Sequence, residues 1–293
     1  MTQKFTTELD VVVVGAGFAG MYLIHKLRGL GFKVRAYDAA SGVGGTWYWN
    51  RYPGARCDVR SLEYSFSFDP ELEASWEWSE KFSTQPEILR YANHIADRYD
   101  LRPDIQFNTR VESQIWDDER SRWTVTTDAG DVIDAQHVIL AVGTLSAPKL
   151  PEIPGIETFK GEWYQTQKFP KEGVSFAGKR VAVIGTGSSA IQSIPEIAKT
   201  CGQLTVFQRT PNFSFPAGNR PLDRQEVDQT KARYGELRQL ARESFFGQNG
   251  PEATLSALEV SAEERQRKYQ EGWEDGQLIS ILGAYDDLIT NKE

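Results

Sequence analysis

Cysteine, histidine and methionine are scarce in this chain of 293 residues, which contains two cysteines, three histidines and two methionines. Cys57 and Cys201 lie far apart and form no Cys-x-x-Cys pair, which argues against a disulfide framework and against a redox dithiol. His25, His94 and His137 lack the spacing of metal ligands. We therefore expect no structural disulfide and no metal site.

Long apolar runs and clusters of basic residues are also missing. The longest apolar stretch near the amino terminus runs from Val11 to Val14, which is the length of a strand, and no charged segment with a cleavable apolar stretch precedes it. The formal net charge is −8, and an acidic chain without Lys/Arg clusters is a poor partner for nucleic acid. We expect a cytoplasmic enzyme with neither a membrane span nor a nucleic-acid partner.

Two glycine-rich turns are the main feature that the sequence does have, and each stands between a β-branched run and a helix-like stretch. They read Gly15-Ala16-Gly17-Phe18-Ala19-Gly20 and Gly185-Thr186-Gly187-Ser188-Ser189-Ala190. In such a turn the first Gly permits a tight bend, the second lets backbone N–H groups approach a pyrophosphate, and the third position lets helix and strand pack closely. One such turn is weak support, but two in this context predict that the chain binds two dinucleotides.

The residues that follow each turn favour different ligands. After the first turn a strand ends at Asp38, 18 residues past Gly20, close to where an acid binds a ribose hydroxyl, and this favours FAD or NAD. After the second turn a strand ends at Arg209 and Thr210, a cation and a hydroxyl suited to a 2′-phosphate, and this favours NADP. The alternative for Arg209 is a solvated arginine at a strand end. Together the two sites imply that NADPH reduces a flavin.

Hydrophobic spacing predicts an α/β protein with two Rossmann-like dinucleotide-binding domains, of which the second is interrupted by a helical segment and is incomplete. The expected parts are an FAD-binding domain over 1–147, a linker with the first part of the NADP-binding unit over 148–221, and a helical subdomain over 222–293. Because the second sheet lacks further parallel strands, we expect a partial chain. The alternative is a compact short variant whose helices close the gap.

Individual elements are also predicted. Residues 39–70 are expected to form a long loop, and residues 84–99 a helix. Strands are expected over 105–116, 122–127 and 138–142.

Residues 44–58 read Gly-Gly-Thr-Trp-Tyr-Trp-Asn-Arg-Tyr-Pro-Gly-Ala-Arg-Cys-Asp, and this segment resembles the type I Baeyer–Villiger monooxygenases. It fits that family's Gly-Gly-x-Trp, its aromatic-Pro-Gly and its Asp at every position. With both glycine turns and the order of elements, the resemblance extends over essentially the whole chain. Flavin enzymes that oxygenate nitrogen or sulfur share the turns but not usually this long aromatic segment.

The family's best-known signature, Phe-x-Gly-x-x-x-His-x-x-x-Trp-Pro, is matched only in part. Phe159, Gly161 and Pro170 agree with it, whereas Gln165 replaces the histidine and Phe169 replaces the tryptophan. Glutamine forms hydrogen bonds as a neutral imidazole does but cannot become cationic near neutral pH. Phenylalanine keeps an aromatic face and loses the indole N–H.

The resemblance implies reduction of FAD by NADPH, capture of O2 by the flavin and conversion of a ketone to an ester or lactone. Asp58 matches the aspartate that orients an arginine beside the flavin. That arginine is not assigned among Arg220 to Arg267, and we expect it beyond Glu293. The alternative for Asp58 is a carboxylate that caps a loop.

The resemblance also implies several cofactor contacts. Residues that line the flavin or lie near the nicotinamide are Gly45, Thr46, Trp47, Trp49, Arg56, Tyr64 and Val111. Packing roles remain the alternative for the three large aromatics, since buried aromatics usually pack.

Two other functions stay open at this point. One is a flavin monooxygenase that oxidises sulfur or nitrogen, and the other is a non-catalytic nucleotide-binding fragment that acts with a partner chain. The residues do not identify the ketone. Because the second sheet is unfinished, we expect the 293 residues alone to turn over ketones slowly and to release hydrogen peroxide.

Overall fold

The computed structural model describes residues 5–145, 147–251, 253–288 and 290. The chain forms two compact units, each built from separated stretches. The first unit consists of Met1–Ala55, Gln85–Val181 and Ile191–Thr205, and the second of Arg56–Thr84, Ala182–Ala190 and Val206–Glu293. The three domain ranges expected from the sequence remain a prediction.

A six-stranded sheet in the order β3-β2-β1-β6-β5-β4 forms the centre of the first unit. The strands are β1 (Thr7–Val14), β2 (Val34–Tyr37), β3 (Ile105–Gln106), β4 (Val111–Asp117), β5 (Arg122–Thr127) and β6 (Val132–Leu140). Strand β1 pairs in parallel with β2 and β6, and β2 pairs in parallel with β3, whereas β5 is antiparallel to both β6 and β4. The Val11–Val13 run is buried, as a central strand covered on both faces requires.

One buried cluster extends across the parallel and antiparallel strands of this sheet. Tyr37 of β2 and Val125 of β5 share one buried cluster with Leu9, Val12 and Ile133, although β2 and β5 are not neighbours in the sheet order. The packing of these side chains removes apolar surface from water, which is the main favourable contribution to folding here.

The first unit contains α1 (Phe18–Gly29), α2 (Thr46–Trp49) and α4 (Gln85–Arg98), and most of a further helix described below. Helix α4 buries Ile88, Tyr91, Ala92 and Ile95, the spacing of one helix face. The helix predicted over 84–99 is therefore confirmed. The loop predicted over 39–70 is correct only in part, because it contains α2.

The strand predicted over 105–116 is wrong as a single element. Asn108 has a positive φ of 53°, which a strand does not allow, and β3 and β4 belong to opposite edges of the sheet. The intervening residues instead contact the loop after β2, since Asn108 N donates to Ala40 O at 2.9 Å and Thr109 N donates to Asp38 O at 2.9 Å. The strand predicted over 122–127 is confirmed.

The strand predicted as buried over 138–142 is longer and less buried than expected. Strand β6 begins at Val132 and ends at Leu140, and the side chains of Leu140 and Val142 are exposed. The buried residues of β6 lie at its beginning, where β5 and β1 both pair with it. After Ala135 the strand no longer pairs with β5, and its remaining residues are exposed or half-buried.

The second glycine turn is followed by the predicted strand-helix-strand order. Strands β7 (Arg180–Ile184) and β8 (Gln203–Phe207) form a two-stranded sheet and are joined by α5 (Ser188–Ala198). These three elements are divided between the two units, with Ile191–Thr205 in the first and Ala182–Ala190 in the second. The second unit contains α3 (Pro70–Ser75), α6 (Arg224–Ala232), α7 (Tyr234–Glu243), α8 (Ala262–Asp275) and α9 (Leu278–Leu282). The described residues after 222 form helices and no strand, as expected. In the described part of the chain, no helix combines the length and apolar character that crossing a membrane demands.

We predict that Gly20→Ala destabilises the protein. A Cβ at Gly20 would lie 2.0 Å from the carbonyl oxygen of Gly15, so α1 would have to move away from β1. Forcing extra atoms into a packed contact costs about 1–3 kcal/mol and sometimes more. The free energy of unfolding, measured by urea denaturation, should fall by at least this amount.

Gly29→Ala is the matched control in the same helix. No atom of the described residues lies within 4 Å of the Cβ position at Gly29. Alanine there should be neutral or stabilising by up to about 1 kcal/mol, because it is the better helix former. Equal effects of the two substitutions would contradict the close approach of α1 to β1.

Candidate dinucleotide sites

The first glycine turn and the Gly44-Gly45 pair meet backbone to backbone in the first unit. A Cβ at Gly17 would lie 3.4 Å from the Cα of Gly45, and a Cβ at Gly45 would lie 3.0 Å from the Cα of Gly17. Gly44 N donates to the carbonyl of Ala16 at 3.2 Å. The surface of the turn therefore consists of peptide groups, and α1 begins next to it at Phe18. Peptide N–H groups at a helix amino terminus are suited to a pyrophosphate.

Asp38 lies at the carboxyl end of β2 and holds the turn in place. Its Oδ2 accepts a hydrogen bond from Ala16 N at 2.6 Å, and its Oδ1 accepts one from Ala40 N at 2.8 Å. An ionised carboxylate has about four acceptor positions, so each oxygen retains capacity for a further donor. The sequence predicted the position of this carboxylate but not its bonds to the backbone.

The aromatic segment after the turn forms the short helix α2, whose residues Trp47 and Tyr48 are buried. Gln85, at the start of α4 and itself buried, donates from Nε2 to the carbonyl of Trp47. Asn50 donates from Nδ2 to the carbonyl of Thr46 at 2.9 Å. The sequence did not single out Gln85, and nothing local in the sequence indicates its contact with Trp47, which lies 38 residues away.

Other predicted residues of the first unit have visible packing roles. The ring of Phe18 stacks on Tyr91 with 6.1 Å between centroids, and Ala19 is exposed. Val111 opens β4 and packs against the cluster that contains Leu9 and Val12. For Val111 a packing role is what the described contacts show.

Residues of the partly matched signature, 159–170, contact the linker and a small aromatic cluster. Gln165 donates from Nε2 to the carbonyl of Lys149 at 2.8 Å, and its Oε1 is buried without a hydrogen-bond partner among the described residues. Phe169 is buried, and its ring centroid lies 5.7 Å from that of Tyr164 and 6.4 Å from that of Phe176. The phenylalanine thus fills space without needing the N–H that a tryptophan would bring.

The second glycine turn lies in the second unit, next to the end of β8. Thr186 Oγ1 accepts hydrogen bonds from Gln208 Nε2 at 2.9 Å and from Asn212 Nδ2 at 3.3 Å. Gly185 has a φ of 102°, which favours glycine. A Cβ at Gly187 would meet no atom of the described residues within 4 Å, so protein packing does not explain glycine at this position.

The remaining predicted residues of the second site lie around the same turn. Ser188 and Ser189 begin α5. Arg209 and Thr210 directly follow Gln208, and both side chains are exposed. The second unit therefore brings a glycine turn, hydroxyl groups and an exposed strand-end cation into one short stretch of structure.

Arg56 and Asp58 also lie in the second unit. Arg56 forms an ion pair with Glu80 at 3.2 Å, whereas Asp58 is exposed. Cys57 between them is buried, and burial raises the pKa of its thiol to about 12, so it is an unreactive thiol near neutral pH. The carboxylate of Asp58 is thus exposed to solvent, while the two residues before it are fixed by an ion pair and by burial.

Tyr64 lines a cavity of about 220 Å³ together with Glu63 and Arg238. Arg238 of α7 donates to Glu73 at 2.8 Å and to the carbonyl of Glu63 at 2.8 Å, so the chain around Glu63 is fixed to α7. Burial raises the pKa of the Glu63 carboxyl. Among the described residues, no group of three or more His, Cys, Asp or Glu side chains is arranged to hold a metal ion.

Comparison with known proteins gives close relatives over the whole chain. It is 44% identical over 288 residues to the acetone monooxygenase (methyl acetate-forming) of Gordonia sp. (strain TY-5), covering 98% of this chain and 54% of the relative. It is 43% identical to the phenazine N-monooxygenase PhzNO1 of Lysobacter antibioticus, covering 99% and 54%. It is 40% identical to a Baeyer–Villiger monooxygenase of Pseudooceanicola batsensis, again covering 99% and 54%.

Solved structures agree with these relatives. An oxidised steroid monooxygenase bound to NADP is 55% identical with a TM-score of 0.94, covering 97% of this chain and 54% of that one. The complex of OTEMO with FAD and NADP is 39% identical with a TM-score of 0.90, covering 96% and 54%. The chain spans about half the length of the relatives it matches.

These comparisons confirm the resemblance to Baeyer–Villiger monooxygenases and the expected α/β fold. The family model described as pyridine nucleotide-disulphide oxidoreductase matches residues 12–222, and the chain belongs to that family.

Proposed function

We propose that this chain binds FAD and NADPH and serves a monooxygenase that inserts one oxygen atom of O2 next to a ketone carbonyl, giving an ester or lactone. The observation that carries the proposal is the backbone contact between Gly17 and Gly45, which joins the glycine turn to the aromatic segment. The names of the relatives supply the reaction class.

The first unit fits FAD. Gly15, Gly17 and Gly20 leave peptide groups rather than side chains where a pyrophosphate would bind, and Asp38 keeps acceptor capacity for a ribose hydroxyl. We assign the remaining contacts to the FAD in the same way. They are Phe18, Ala19, Gly45, Thr46, Trp47 and Trp49. Tyr64, which belongs to the second unit, and Val111, whose described contacts are packing contacts, are proposed as FAD contacts from the family resemblance alone.

The second glycine turn fits NADPH. Gly185, Gly187 and Thr186 would contact the pyrophosphate, with Ser188 and Ser189 at the start of α5. Arg209 and Thr210 would bind the 2′-phosphate, because an exposed guanidinium and a hydroxyl form charge-assisted hydrogen bonds with phosphate oxygens. We place Arg56 near the nicotinamide.

Bound flavin, reduced by NADPH, supplies the electrons with which O2 is activated. The role of Asp58 is to orient a guanidinium, since a carboxylate fixes an arginine through two parallel hydrogen bonds. An ion pair exposed to solvent contributes little stabilisation. Asp58 is exposed, so it would hold the guanidinium firmly only once water is excluded from its carboxylate. The partners that we propose are a small ketone, O2 and a further segment or partner chain, and we place the protein in the cytoplasm.

A second candidate is oxygenation at nitrogen or sulfur, because one relative is a phenazine N-monooxygenase. Product analysis separates the candidates. The purified chain is mixed with FAD, NADPH, O2 and either a cyclic ketone or a thioether. Lactone above a protein-free control supports the first candidate, and sulfoxide without lactone supports the second. A chain that stays colourless with added FAD would contradict both and would support a non-catalytic role.

We predict that Gly17→Val abolishes FAD retention. Its side chain would occupy the space beside the Gly45 backbone that the phosphates need. The measurement is the flavin absorbance of the purified protein per mole of chain, with Gly29→Ala as the folded control. A folded Gly17→Val protein with normal FAD content would remove the assignment of this turn.

We predict that Arg209→Ala weakens NADPH binding by about 10- to 150-fold and leaves NADH binding almost unchanged, because a hydrogen bond to a charged group is worth about 1.5–3 kcal/mol. Dissociation constants for both nucleotides are measured by titration. Arg242→Ala, which removes an exposed arginine from α7, is the charge-matched control. Equal losses for NADPH and NADH would show that Arg209 has a structural role instead.

A further inference from the structure

Lys171 directly follows Pro170, the last residue of the partly matched signature, and it contacts the aromatic segment of the same unit. Its Nζ donates to the hydroxyl of Tyr48 at 2.5 Å. The ammonium also lies 4.1 Å from the centre of the Tyr48 ring and 5.7 Å from that of the Trp49 ring. A cation this close to two ring faces is attracted to both.

Tyr48 is buried in α2, and its hydroxyl has three hydrogen-bond partners. Besides Lys171, the backbone N of Ser41 donates to it at 3.1 Å, and the Ser41 hydroxyl lies 2.5 Å away. The Tyr48 ring packs edge-on against Trp49 with 5.0 Å between centroids, and the Arg51 guanidinium lies 5.3 Å from its centre. Burial opposes ionisation of Tyr48, but the hydrogen bonds from Lys171 and Ser41 outweigh it and lower the pKa of Tyr48.

A second contact of the aromatic segment involves α5. Tyr52 donates to Gln192 of α5 at 2.9 Å, within the first unit. A Cβ at Gly54 would lie 2.2 Å from the carbonyl oxygen of Gln192, so only glycine permits this approach. The aromatic segment is therefore held in α2, at Tyr48, by the residue that follows the signature, and after α2, at Tyr52, by α5.

We propose that Lys171 is a positioning residue that fastens the signature segment to Tyr48 and thereby fixes Trp49 in the FAD site. The inference rests on the proposed function, because it assumes that Trp49 lines the flavin. The contacts of Gln165 and Phe169 described above stay within the linker and its neighbours, whereas the contact of Lys171 reaches α2. Lys171 thus transmits the position of the signature to the flavin-lining helix.

The test compares Lys171→Met with Lys171→Arg and Tyr48→Phe. Methionine keeps the unbranched apolar stem and loses the charge, while arginine keeps a cation. Lys168→Met is the matched control, since it removes an exposed lysine from the same segment. The first readout needs no flavin: ultraviolet absorbance follows tyrosine ionisation with pH. In the unaltered chain one tyrosine should ionise at a lower pH than the others, because the pKa of Tyr48 is lowered. This step should vanish in Tyr48→Phe, shift upward in Lys171→Met, and stay low in Lys171→Arg.

The second readout is FAD binding, measured by titration and by flavin fluorescence, which a tryptophan held against the flavin quenches. Lys171→Met removes the charge-assisted hydrogen bond to Tyr48, so Trp49 is no longer held against the flavin. FAD binding should therefore weaken about 10-fold, and the fluorescence of bound flavin should rise. Lys171→Arg should recover most of both values, and Lys168→Met should change neither.

The outcomes separate this inference from the proposed function. If the unaltered chain binds no FAD, the proposed function fails and the positioning role in the FAD site fails with it, while the tyrosine titration still decides whether Lys171 contacts Tyr48. If FAD binds but Lys171→Met and Lys168→Met behave alike, the positioning role is overturned and the FAD site stands. An unshifted tyrosine step in Lys171→Met overturns the contact itself.

Discussion

The close approach of Gly20 to the carbonyl of Gly15 is the constraint on which the first unit depends. It brings α1 against β1 with no side chain between them, and Gly15 can take part because its φ of 108° is open to glycine. A contact without side chains buries little apolar surface. The free energy that holds it comes from elsewhere, chiefly from the cluster around Tyr37 and Val125 and from the buried face of α4.

Asp38 shows how the turn is kept in shape by polar groups. A turn made of peptide groups presents N–H donors, and a buried donor without a partner is costly. Asp38 satisfies Ala16 N and Ala40 N at once, and so links the turn to the chain beyond β2. Holding the turn and binding a ribose hydroxyl are compatible roles, because the carboxylate has capacity for more than two donors.

Local patterns predicted most elements of the fold, and non-local contacts explain the failures. Strand β1, α1 and β2 follow from the strand-turn-helix pattern around the first glycine turn, and α4 follows from the spacing of its apolar residues. Both signals depend on neighbouring residues only. The break at Asn108 does not, because it arises where β3 and β4 separate to opposite edges of the sheet.

The same limit applies to the candidate sites. The glycine turns and Asp58 were recognised because their motifs are contiguous in the sequence. Gln85 and Lys171 were not, since they reach Trp47 and Tyr48 across 38 and 123 residues. The sequence around each of these polar residues contains no motif that predicts its contact, and only the tertiary structure reveals it.

The two glycine turns differ in what requires their glycines. At Gly15 and Gly20 a side chain would collide with protein backbone, so the shape of the first turn is fixed before any ligand binds. At Gly187 a side chain would meet no described atom, so contacts within the described residues do not require glycine there. A preorganised site loses less conformational entropy on binding and therefore holds its ligand more tightly. This contrast suits a flavin that stays bound at the first turn and a nicotinamide nucleotide that enters and leaves at the second.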